Sequence, residues 1–121
     1  MAREENRLLR ILVVEDSADA QGMLCELLTL LGHTASGAGD AATALDMLGV
    51  QEFDVLLTDI NLPGMSGIQL ARKAKASCQQ IKVIFASGHD NSMSSYIGFP
   101  SGWLTKPYDV GALVKALEWQ E

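Results

Sequence analysis

Short apolar runs, each closed by a polar or charged residue, alternate with stretches of helical period, and that alternation leaves few folds open. The runs are residues 9–14, 53–58, 81–86 and 103–105, with a fainter one at 33–38. They are too short for helices, and the first is rich in β-branched residues, so they read as strands. Over residues 18–31, Leu24, Leu27, Leu28 and Leu31 recur at i, i+3, i+4 and i+7, one stripe of a helix, with Gly32 placed to end it. Asp40 can cap a second helix whose stripe is Ala41, Ala44, Leu45 and Leu48. The turn-rich loop Asn61-Leu62-Pro63-Gly64-Met65-Ser66-Gly67 leads into a third helix through about Ala76. Asp109 can cap a last one, with Val110, Leu113, Val114 and Leu117 on one face. Residues 87–101 are polar, Gly- and Ser-rich and carry Pro100, poor material for a long helix. Nearly continuous apolar strands are buried on both faces, and right-handed crossovers then force a parallel sheet covered by helices on both sides. The expected fold class is α/β: one doubly wound domain with a five-stranded parallel sheet over residues 8–121, preceded by a charged tail, residues 1–7.

A chain of 121 residues has room for one such core and not for two. Nine Lys and Arg against fifteen Asp and Glu give a net charge of −6, which argues against a nucleic-acid or anionic-membrane surface on this segment. The densest basic stretch, Arg72-Lys73-Ala74-Lys75, reads as the solvated face of a helix. Cys25 and Cys78 lie far apart in no metal-binding spacing, so neither a zinc site nor a disulfide framework is expected. No apolar run approaches the ~18 residues of a membrane span, and no signal region follows the N-terminus. The expected setting is intracellular.

In open parallel sheets, ligands bind beyond the carboxyl ends of the strands. The residues there are Glu15 and Asp16 after the first strand, Asp59 after the third, Ser87 after the fourth and Lys106 after the fifth. Taken singly each has a plain structural role: acids after strands cap helices or begin turns, and a lone lysine is usually solvated. Together they place three acids, a hydroxyl and an amine at one edge of the sheet. Crowded carboxylates repel and call for a cation, and an all-oxygen set suits Mg²⁺. No Gly-x-x-x-x-Gly-Lys loop follows a strand, so the phosphate chemistry points to a carboxylate nucleophile rather than a bound nucleotide.

Four blocks in order carry a family likeness: Ile11-Leu12-Val13-Val14-Glu15-Asp16, the stretch from Asp54-Val55-Leu56-Leu57-Thr58-Asp59 to Gly67, Val83-Ile84-Phe85-Ala86-Ser87-Gly88, and Trp103-Leu104-Thr105-Lys106-Pro107-Tyr108. The sequence resembles response-regulator receiver domains of two-component signalling, over residues 8 to about 119. The resemblance implies a flavodoxin-like (βα)5 receiver fold and a phosphorelay function. Asp59 would be the phosphoacceptor, taking its phosphoryl group from a histidine of a sensor histidine kinase or a histidine phosphotransfer domain. Asp16, Asp59 and the backbone carbonyl of Asn61 would ligate Mg²⁺ or Mn²⁺, with Glu15 acting through metal-bound water. Ser87 would bond a phosphoryl oxygen and Lys106 would ion-pair with the phosphoryl group. Asn61 and His89 stand where the family tunes the lifetime of the acyl phosphate. Ser87 and Trp103 occupy the switch positions, where Tyr or Phe is more usual than Trp, and a downstream effector would read the change.

The sequence ends at Glu121, so the expectation is a stand-alone regulator, or a receiver cut from a hybrid histidine kinase or a multidomain regulator, cytoplasmic in each case. The Leu-Pro-Gly-Met-Ser-Gly loop favours the hybrid kinase. Two other classes compete: a degenerate receiver acting only as a protein-binding module, and a small aspartate-based phosphohydrolase. The second would want an acid two residues after Asp59, where Asn61 stands.

Overall fold

The structure, a computed structural model, describes residues 8–88 and 97–118. Five strands, β1 (Arg10–Val14), β2 (Thr34–Ala38), β3 (Val55–Asp59), β4 (Lys82–Ser87) and β5 (Gly102–Thr105), form one sheet in the order β2-β1-β3-β4-β5. Every neighbouring pair is parallel. Among the described residues four helices accompany them: α1 (Ala18–Leu30), α2 (Ala41–Val50), α3 (Gly67–Ser77) and α4 (Val110–Glu118).

Successive strand residues point to opposite faces, and this splits the core in two. Leu12, Val14, Leu56, Val83 and Phe85 pack with α2 and α3, through Ala41, Ala44, Leu70, Ala71 and Ala74. Ile11, Val13, Val55, Leu57, Ile84 and Leu104 pack with α1 and α4, through Leu24, Leu28, Leu113, Ala116 and Leu117. The doubly wound α/β architecture read from the sequence is the observed one.

Element boundaries follow local chemistry. Gly32 has φ 99° and donates to the Thr29 carbonyl at 3.0 Å, while His33 N–H reaches Leu28 O at 3.1 Å, a two-bond helix stop that glycine makes without strain. Asp40 and Asp109 cap α2 and α4 as expected, accepting from Thr43 N–H at 2.7 Å and Ala112 N–H at 2.8 Å. Neither Glu15 nor Asp16 caps α1. Ser17 does, its hydroxyl accepting from Ala20 N–H at 3.3 Å, so both acids are released for other work.

One expectation about a helix face needs correction. Val110 is 46% exposed, because it opens α4 before the helix turns its face to the sheet, and Ala116 takes the buried place instead. In α1 the expected stripe holds: Leu24 and Leu28 are buried, and Leu27 and Leu31, partly buried, pack against the same cluster. The polar stretch after β4, with His89 in it, lies largely outside the described residues, as do residues 1–7.

At the amino edge of the sheet His33 Nδ1 accepts a hydrogen bond from Leu9 N–H at 3.1 Å, and burial lowers the imidazole pKa below its ordinary 6.5. The folded state therefore favours the neutral ring, and its contribution is complete above pH 6.5 and lost as pH falls through the lowered folded value. Melting temperature between about pH 7 and pH 5 should fall less steeply in His33→Gln than in the wild type. An unchanged slope would deny His33 this role.

Candidate functional site

The strand order reverses between β1 and β3, and the crevice beyond their carboxyl ends is where a doubly wound fold takes its ligand. Glu15 and Asp16 leave β1 there, and Asp59 ends β3. Each of the three offers a carboxylate oxygen, and these oxygens all lie within 4.8 Å of one another. Lys106, one residue past β5, extends across β4 to donate to Asp59 Oδ2 at 3.0 Å and Glu15 Oε1 at 3.2 Å. The ammonium is thus paired with both acids while staying partly open to solvent.

Burial works against the Lys106 charge, but the hydrogen bond and charge of Asp59, then those of Glu15, outweigh it and hold the pKa above its ordinary value. The same surroundings push the Tyr108 phenol up, chiefly by burial, with Lys106 opposing and the two acids reinforcing. Glu15 is 8% exposed and tied on every side. Its N–H donates to Ala38 O at 3.0 Å, its carbonyl accepts from Gln21 Nε2 at 3.0 Å, and its second carboxylate oxygen accepts from Ser17 N–H at 3.1 Å. Asp16, by contrast, is exposed.

Ser87 ends β4, buried, one residue beyond Ala86, the register partner of Asp59, and its carbonyl accepts from Lys106 N–H at 2.7 Å. Asn61 lies exposed in the loop two residues beyond Asp59. Trp103 in β5 is half-buried against Phe85, ring centroids 5.1 Å apart and tilted by 40°. Glu15, Asp16, Asp59, Ser87 and Lys106 therefore gather at one edge, as their places in the sequence imply. His89 falls outside the described residues.

Three further residues of the site had no role assigned from the sequence: Gly67, although it closes the second family block, and Gln21 and Gly37, which lie in no motif. Gly67 opens α3 and donates to Ile60 O at 2.8 Å, so close over the strand end that a Cβ would be driven into the Asp59 carbonyl oxygen. Gln21 and Gly37 meet beside Glu15, and a Cβ on Gly37 would overlap the Gln21 amide.

Residues 11–118 match the family model for the response regulator receiver domain. The chain belongs to that family. This receiver is 32% identical over 116 residues to the chemotaxis protein CheY of Pseudomonas aeruginosa, covering 91% of this chain and 94% of that one. It is 29% identical to the aerobic respiration control protein ArcA of Escherichia coli, over 82% of this chain but 42% of the relative. Among solved structures, the Vibrio cholerae chemotaxis protein CheY4 superposes with a TM-score of 0.85 at 25% identity, covering 93% of this chain and 98% of that one. Receivers bind Mg²⁺ at an acidic pocket and interact with histidine kinases or phosphotransfer proteins. No helix among the described residues of this receiver is long and apolar enough to cross a membrane.

Proposed function

We propose that the domain spans residues 8–121 and that Asp59 is its phosphoacceptor, with the lysine bridge from β5 to the β1–β3 acids as the observation that carries the reading. A nucleophilic carboxylate must be reachable, oriented and offset in charge, and Asp59 is 13% exposed, held by Lys106 and placed at the switch point. In the transfer, an Asp59 oxygen forms a bond to phosphorus as the nitrogen–phosphorus bond of a donor phosphohistidine breaks. The electron pair returns to the imidazole, which takes up a proton, and an acyl phosphate remains on Asp59. Lys106 then pairs with the phosphoryl oxygens, and Ser87 donates a hydrogen bond to one of them.

Asp16, Asp59 and the Asn61 carbonyl are the groups to hold Mg²⁺, or Mn²⁺ in its place. The acids there fit, since Glu15, Asp16 and Asp59 offer only oxygen and those atoms lie within 4.8 Å of one another. Both Glu15 carboxylate oxygens already have protein partners, which suits contact through water rather than direct ligation. Bound there, the cation would neutralise charge that builds on the phosphoryl oxygens. Ser87 and Trp103 are the switch pair, Asn61 and His89 the residues that set the lifetime of the phosphorylated state, and the setting is cytoplasmic.

Intact-mass spectrometry after incubation with acetyl phosphate tests this directly. One phosphoryl mass should be gained with Mg²⁺ present, and labelling should slow by at least about 100-fold when a chelator removes it. No gain at any Mg²⁺ concentration would make this a binding module without receiver chemistry.

A further inference from the structure

Asp16 is the acid whose direction the surroundings do least to explain. Among the described residues no hydrogen bond holds its exposed carboxylate, so the aim of that side chain is set by the backbone it leaves. That backbone is the Glu15–Asp16 peptide, whose carbonyl is the Glu15 oxygen that accepts from Gln21 Nε2 at 3.0 Å. Gln21 comes from the first turns of α1, its own N–H bonded to Ser17 O at 2.9 Å, and its side chain runs back over β2. It can lie there only because residue 37 has no side chain, since a Cβ would overlap the Gln21 amide. The obstructing atoms are the far end of a flexible side chain, so a methyl group at 37 would move the amide and leave the strand in place.

We propose that Gln21, seated on Gly37, is a positioning residue for the cation site: it locks the Glu15–Asp16 peptide plane and thereby aims the Asp16 carboxylate at the metal. The inference rests on the reading that Asp16 and Asp59 hold Mg²⁺. It concerns a residue in α1 and a gap in β2, neither of which touches the ion. Partners that orient a ligand without touching the metal commonly govern affinity about as strongly as a hydrogen bond's loss allows, or more.

Mg²⁺ titration calorimetry on the wild type, Gln21→Met, Gly37→Ala and the double variant decides it, with melting curves alongside. Gln21→Met keeps the bulk and removes the donor, while Gly37→Ala keeps the donor and removes its seat. Each should weaken Mg²⁺ binding on the order of tenfold, and the double variant should be no worse than either single one, because both break the same bond. Ser17→Ala is the structural control. It removes the α1 cap but not the Glu15 carbonyl bond, so it should lower the melting temperature and leave Mg²⁺ affinity unchanged. In acetyl phosphate labelling, raised Mg²⁺ should restore the rate of Gln21→Met, since its loss is in metal affinity and not in the nucleophile.

Wild-type affinity in either single variant would overturn the proposal. So would multiplied losses in the double variant, or a loss in Ser17→Ala as large as that in Gln21→Met, which would make α1 stability the cause. If Gln21→Met fails to fold, Gly37→Ala against Ser17→Ala decides. A wild type that binds no Mg²⁺ defeats the metal reading instead, a result distinct from any of these.

Discussion

Asp59→Asn is expected to take up no phosphoryl group from acetyl phosphate at any Mg²⁺ concentration, while folding at least as well as the wild type. The two halves have separate causes. An amide oxygen is a far poorer nucleophile than a carboxylate and leaves no stable acyl phosphate, so the chemistry stops. The fold should not suffer, because three acids crowd one lysine, and removing one of them lessens repulsion while Lys106 keeps Glu15 as its partner. The ion pair lost is partly open to solvent, with Lys106 34% exposed, so its own contribution is at most about 1 kcal/mol. Intact mass gives the first half and a melting curve the second. A label that persists in Asp59→Asn would mean another residue is the nucleophile.

Gly67→Ala should damage both fold and chemistry. Its new methyl group would meet the Asp59 carbonyl, which is backbone in the centre of the sheet and has nowhere to go. Overpacking of this kind costs typically about 1–3 kcal/mol, and the strand end that yields is the one carrying the proposed nucleophile. The melting temperature should fall by roughly 5–15 °C, and labelling by acetyl phosphate should slow by about 10- to 100-fold as Asp59 is moved off its aim. Gly64→Ala is the comparison. Gly64 has φ 78° but open space around it, so alanine there brings strain without collision and should leave labelling nearly intact. Equal labelling rates in the two variants would show that the approach of Gly67 to Asp59 does not matter.

What could be read in the sequence, and what could not, divides along the same physical line. Val13, Leu56 and Ile84 stand in strands buried on both faces, so their runs are apolar throughout and hard to miss. Residues 34–38 form the β2 edge, paired only with β1, and their Thr-Ala-Ser-Gly-Ala run carries little hydrophobic signal because its residues are mostly half-buried and the Gln21 side chain fills the space over Gly37. Val110 misled because an apolar residue at the start of a helix has the period of the stripe without its burial. The acids, Ser87 and Lys106 were legible because strand ends in a parallel sheet converge whatever the loops do. Gln21 and Gly37 were not, and Gly67 was read only as the end of a loop, since one acts through a backbone carbonyl and two through the absence of a side chain.

The reach of Lys106 has a mechanical consequence. β5 is four residues long with a single sheet neighbour, β4, yet its end is fastened by one ammonium to β1 and β3. The lysine is a tie-line strung across the sheet, its tension set by the two carboxylates at the far end. Whatever competes for either carboxylate slackens that line, and the slack is felt at the margin of the sheet, two or three strands away from where the charge arrived.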